Sequence, residues 1–69
     1  MSLVKYNTTS DPTTTGVYAC RIPDKVAPEL LADEFLLWDA KAAKWCYLRS
    51  DQTYRGTVLG WVGPLHRRL

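Results

Sequence analysis

The stretch 44–56, KWCYLRSDQTYRG, gathers Trp45, Tyr47, Arg49, Tyr54 and Arg55 around a polar turn. Alternate residues of a strand project from one face, so a strand here would align Trp45, Tyr47 and Arg49. Lys44, Tyr54 and Arg55 would flank them. Aromatic rings stack on single-stranded bases at about 1–3 kcal/mol per base, and guanidinium groups fork onto phosphate. Tyr, Trp and Arg are also enriched at the energetic centres of protein interfaces. A third reading places Trp45 and Tyr47 in the core, with the Arg49 stem covering the rim. Arg67 and Arg68 add attraction for any acidic partner.

Other groups offer less chemistry. His66 is the only histidine and lies beside Arg67. A neighbouring cation disfavours its protonated form, and nothing orients the ring as a base. Cys46 sits between Trp45 and Tyr47, an apolar setting that does not activate a thiol. Asp33 and Glu34 are adjacent, so on a strand they face opposite ways and cannot share acid–base work. Two cysteines and one histidine with no ligand spacing make no zinc site. The segment Gly60-Trp61-Val62-Gly63 is too apolar to cradle a phosphate. The expectation is a binding protein without catalysis, cofactor or metal.

Charge is divided unevenly. Residues 1–40 carry three cations against six anions, net −3, and residues 41–69 carry six against one, net +5. Such asymmetry points to nucleic acid or another acidic partner. It is met equally well by strands of opposite charge pairing within one sheet.

The chain has 69 residues and forms one domain over 1–69. At this size only about 60% of the unfolded surface is buried, so a disulfide, a metal or a second subunit is the usual support. The opening MSLVKYNTTSDPTTTG has no apolar signal core. A reducing, cytoplasmic setting follows, with Cys20 and Cys46 buried as small apolar groups, and a Cys20–Cys46 bridge as the alternative. In that setting the sequon Asn7-Thr8-Thr9 meets no glycosylation machinery. No run approaches the roughly 20 apolar residues of a membrane-spanning helix. Self-association, as a homodimer through an apolar face or an edge strand such as Leu3–Tyr6, is the expected support.

The elements that position these residues are short. Residues 7–15, NTTSDPTTT, read as a flexible loop. GVYACRI, 16–22, is a strand between Gly16 and Pro23. Pro28 and Glu29 suit the first turn of a short helix over 28–33. Residues 33–49 are ambiguous. Leu31, Phe35, Trp38, Ala42 and Trp45 recur at helical spacing, but Leu30, Leu36, Leu37, Tyr47 and Leu48 would then lie uncovered. A hairpin of EFLLWDA and AKWCYLR around Lys41 is preferred. TVLGWVG is a last strand, and residues 64–69 form a basic tail. The fold class is α+β to mainly β, an antiparallel meander of three to four strands with one short helix.

Regular alternation sorts the strands into two faces. Tyr18, Cys20, Ile22, Leu36, Trp38, Cys46, Leu48, Leu59 and Trp61 share one, the core. Val17, Ala19, Arg21, Phe35, Leu37, Trp45, Tyr47, Arg49, Val58 and Val62 share the other. The second face is too apolar to lie bare on a monomer. The short helix, the N-terminal segment, a second subunit or a partner must cover it. Tyr54 and Arg55 belong to the turn and are expected in solvent.

The succession PTTTGVYACRI, FLLWD, AKWCYL, YRGTVLGW and GWVGPL resembles a class of small bacteriophage and prophage proteins of the DUF551 type, over residues 12–65. HRRL stands where that class often carries a proline cluster. The resemblance implies a phage-encoded accessory protein that works in the bacterial cytoplasm by binding a host or defence component. The expected function is protein–protein interaction, with self-association or such a component. Nucleic-acid or nucleotide binding through the same aromatic and arginine residues is the alternative.

Overall fold

In the computed structural model, residues 5–50 and 52–65 are described. They form four strands, β1 (Gly16–Pro23), β2 (Leu31–Asp39), β3 (Lys44–Tyr47) and β4 (Gly60–Val62). All pair antiparallel in one sheet of order β3-β2-β1-β4. The mainly β class is observed.

The short helix over 28–33 is not. Residues 24–30 instead close a loop, in which Asp24 N–H donates to the Leu30 carbonyl. The Asp24 carboxylate accepts from the Val26 and Ala27 amides, at 2.9 and 3.0 Å. Those two bonds hold the carboxyl below its ordinary pKa. Leu30 N–H donates to Ala27 C=O, which places Pro28 second in a four-residue turn, where its fixed φ fits. A helix would need residues 31–33 to continue the turn. Pairing with β1 claims them: Leu31 sits opposite Pro23 and Asp33 opposite Arg21.

Residues 33–49 are a hairpin, as preferred. Asp39 closes its loop by accepting from the Lys41 and Ala42 amides. Ala43 turns the chain into β3 at φ 55°. The last strand is shorter than TVLGWVG, with only Gly60–Val62 in the ladder. Gly63 follows at φ 147°, and a Cβ there would stand 2.8 Å from the Tyr18 ring.

The loop length corrects the face assignment of β3. Asp39 pairs with Lys44, so residues 40–43 form an even-numbered loop. Trp38 then lies opposite Trp45, and Leu36 opposite Tyr47. Directly opposed residues share a face, so Trp45 and Tyr47 join the core face. Cys46, opposite Leu37, goes to the outer face. A shift of one residue in register moves every side chain to the other side. Leu48 is exposed rather than core. Just before β4 the assignment also reverses: Val58 packs against the core and Leu59 is exposed.

The core is therefore Tyr18, Cys20, Ile22, Leu36, Trp38 and Trp45, with Ala32, Tyr47, Tyr54, Val58 and Trp61 packed against it. Tyr18 is its hub. Trp45 and Trp61 each make a T-shaped contact with its ring, at centroid distances of 5.7 and 5.1 Å. Its hydroxyl donates to Thr14 C=O at 2.6 Å. Trp38 and Trp45 pack at 4.9 Å. Such aromatic pairs add about 0.5–1.5 kcal/mol each beyond the area they bury.

Residues 7–15 contain no strand or helix but make several contacts. Asn7 exchanges both backbone bonds with Trp61, and the Trp61 indole donates to Ser10 C=O at 2.7 Å. Thr15 Oγ1 accepts from Ala40 N–H, and Pro12 is buried.

Candidate functional site

The aromatic and arginine cluster of the sequence is divided by the fold. Trp45 is 8% exposed and belongs to the core. Tyr47 and Tyr54 are half-buried, packed edge to face at 5.6 Å. Tyr54 was expected in solvent with Arg55; its ring instead lies against the core, and its hydroxyl donates to Thr57 C=O at 3.2 Å. Burial, and then Tyr47, raise its pKa. Arg49 and Arg55 are exposed. Arg67 and Arg68 lie outside the described residues, as do His66 and the first half, Leu3 and Val4, of the Leu3–Tyr6 segment.

What the fold brings together on the core side is a shallow cleft. Tyr47, Gln52, Thr53 and Arg55 line an open volume of about 580 Å3. The Lys25 ammonium stands 5.7 Å from the Tyr47 ring centre, within cation–π reach. Residues 52–54 run beside β3: Tyr47 N–H donates to Gln52 C=O, and Tyr54 N–H to Trp45 C=O. This segment gives Arg55 its place beside Tyr47.

The outer face is the second surface. Its strand residues include Val17, Ala19, Arg21, Leu31, Asp33, Phe35, Leu37, Cys46 and Val62. One part is covered by the N-terminal segment, one of the covers the sequence left open. The Arg21 guanidinium lies 4.5 Å above the Tyr6 ring and pairs with Asp33 at 3.4 Å. The Tyr6 hydroxyl donates to the same carboxylate. Phe35, next along β2, is 57% exposed. Leu31, Leu30 and Val26 are also in water, Val26 at 93%.

The thiols are not placed for chemistry. Cys20 is fully buried, and its Sγ donates to Tyr18 C=O at 3.7 Å. Burial, with the Glu34 charge adding to it, pushes its pKa up to about 12, against the smaller lowering by the Leu36 backbone bond. Both cysteines are free. β2 lies between them and they occupy opposite faces. Two strand spacings, about 9.6 Å, exceed what a disulfide spans. Among the described residues no group of three or more His, Cys, Asp or Glu gathers as a metal site. None of these residues forms a helix long and apolar enough to cross a membrane.

Comparison with known proteins returns no matching family model, no matching curated protein and no matching solved structure.

The exposed run from Val26 to Phe35 was not singled out from sequence. Its signal was there in VAPELLADEF, an apolar-rich segment that alternation leaves half outside any core. Assigning part of it to a helix hid it.

Proposed function

We propose that this protein acts by non-catalytic binding to another protein chain, self-association included. The observation that carries this reading is the concentration of large apolar side chains in water along one stretch. Val26, Leu30, Leu31 and Phe35 are all exposed on the β1–β2 loop and β2. Exposed apolar groups gathered in this way mark interaction surfaces. A chain this small gains stability from burying them against a second chain. The phage-type resemblance adds a context, an accessory protein meeting a host or defence component in the bacterial cytoplasm.

Sedimentation over a wide concentration range tests the reading. The wild-type chain is expected to self-associate or to form a defined complex, and Phe35→Asp to weaken that association. A chain that stays monomeric at high concentration, and retains no partner that Phe35→Asp releases, removes it.

The cleft at Tyr47, Gln52, Thr53 and Arg55, with Lys25 at the Tyr47 ring and Arg49 exposed two residues further along the chain, supports a second reading: nucleic-acid or nucleotide binding. Trp45 takes no part in it, because its ring is core. Single-strand binding would fall steeply with salt, through counterion release. Arg49→Ala and Arg55→Ala would weaken it alike on unrelated sequences. No shift of labelled single strands at low salt removes this reading.

A further inference from the structure

One edge of the sheet is unfinished. β2 runs from Leu31 to Asp39, but β3 covers only Leu36–Asp39. Residues 48–50 bend away, and the chain returns as 52–54 on the far side of β3. Among the described residues nothing pairs with Leu31–Phe35 on the β3 side. Burial changes at the same point. Leu36 to Asp39 are buried or half-buried, whereas Leu31, Asp33, Glu34 and Phe35 are exposed.

Two sets of bonds fix which backbone groups point into the gap. Trp45 and Tyr47 bond to the 52–54 segment, so Lys44 and Cys46 turn their N–H and C=O groups to β2. Their partners Asp39 and Leu37 face β3 in return. On the other side of the sheet, Val17 and Arg21 accept from Leu65 and Leu59, away from β2. Tyr18, Cys20 and Ile22 therefore turn to β2, and their partners Leu36, Glu34 and Ala32 bond to β1. Both ladders leave Leu31, Asp33 and Phe35 with N–H and C=O groups directed at the gap. Such an edge is a template for one more strand.

The side chains beside those groups restrict what fits. On the outer face Leu31 and Phe35 are exposed apolar groups, with Asp33 between them. Glu34 lies exposed on the other face. Arg21 and Tyr6 both contact Asp33 through Oδ1, at 3.4 Å, and Oδ2 takes no hydrogen bond among the described residues. Residues 24–34 carry four carboxylates against one ammonium, net −3, although the whole chain is +2. A second copy of this edge is a poor occupant. The antiparallel register that fills the gap sets Leu31 against Phe35 but Asp33 against Asp33, and like charges directly opposed are unfavourable. A strand with basic residues opposite Asp33 and Glu34, and apolar ones opposite Leu31 and Phe35, matches both the charge and the apolar surface.

We propose that the Leu31–Phe35 edge of β2 binds an extended segment of another protein as an added antiparallel strand. That segment is apolar opposite Leu31 and Phe35 and basic opposite Asp33 and Glu34. The proposal rests on the protein-binding reading above and names the partner's chemistry. Leu31, Asp33 and Phe35 each exchange both backbone bonds with the guest strand, and its central cation reaches the Asp33 carboxylate.

The test uses the full chain and a capped synthetic peptide, Gly-Ile-Lys-Lys-Thr-Val-Gly. Antiparallel, it sets Ile against Phe35, the two lysines against Glu34 and Asp33, and Val against Leu31. Calorimetric titration is expected to show binding that weakens with salt. Replacing both lysines by glutamate weakens it about tenfold or more, and Asp33→Lys reverses the preference between the two peptides. Methylating the backbone nitrogen of the second lysine, whose N–H faces the edge, weakens binding about tenfold. The same change at the first lysine, whose N–H faces away, leaves it unchanged. The methylated peptides need no protein variant, so misfolding of Asp33→Lys does not blunt the test. Equal effects of the two methylations overturn strand addition. Equal binding of the lysine and glutamate peptides overturns the basic partner. Self-association that Asp33→Asn strengthens about tenfold assigns the edge to a second copy and also overturns it. If the lysine peptide fails to bind at millimolar concentration while Phe35→Asp still weakens self-association or releases a partner, this contact falls and protein binding stands. If the chain is also monomeric and holds no partner sensitive to Phe35→Asp, both fall.

Discussion

Ala43 holds φ 55°, a left-handed conformation that costs a non-glycine residue about 1 kcal/mol. It sits where the hairpin loop enters β3, and its side chain is exposed. Glycine adopts this backbone without the Cβ penalty, at some loss of unfolded-state restriction. Ala43→Gly is expected to raise stability by about 0.5–1 kcal/mol in urea unfolding. An equal loss would mean that the loop takes another shape. Trp38 shows a different residue-scale feature: its indole N–H is buried with no acceptor among the described residues. A buried donor without a partner opposes stability by about 1–3 kcal/mol. The ring keeps its place through packing against Trp45.

At the scale of the element, one loop length decides what the hairpin presents. With residues 40–43 as the loop, Trp45 is core and Leu48 lies outside the ladder at 49% exposure. The opposite parity would exchange their roles. Trp45→Ala is therefore expected to cost about 3–5 kcal/mol, enough to unfold much of so small a domain. Leu48→Ala should stay within about 0.5 kcal/mol. Denaturant titration of both variants checks the register directly. A costly Leu48→Ala beside a mild Trp45→Ala would favour the shifted hairpin. The β1–β2 loop follows the same logic. Asp24 and Pro28 make a turn, and pairing of Leu31 with Pro23 starts the strand before a helix can grow.

For the whole molecule, the groups with raised pKa values lie in or against the core. Cys20 is pushed from 9.0 up to about 12, and Tyr18 and Tyr54 are raised by burial. Each is held in its neutral form by the fold, so the folded state keeps protons that the unfolded chain releases. The Cys20 contribution is complete below pH 9 and is lost as pH rises from there towards 12. Melting temperature should hold steady through neutral pH and decline above pH 9, with the tyrosines adding to the fall. Stability that rises above pH 9 would contradict the burial of these groups. Native thiols should resist alkylation at pH 8 and react once the chain is unfolded in urea.

The alternation of GVYACRI and FLLWD by itself determined an antiparallel β domain and most of its core. Tyr18, Cys20, Ile22, Leu36 and Trp38 are where period-two patterning puts them. It also limited the candidate binding groups to a few aromatic and basic residues, of which Arg49 and Arg55 are exposed. Residues 28–33 misled because Pro28 and Glu29 suit a helical first turn as well as a tight turn, and local propensity cannot see β1 waiting to pair. Only the tertiary structure decided which face of β3 looks inward. Side-chain direction along a strand is relative until a partner sets the register, and that register turned on whether the loop after Asp39 holds an odd or an even number of residues. The same decision sent Trp45 into the core and Cys46 to the outer face.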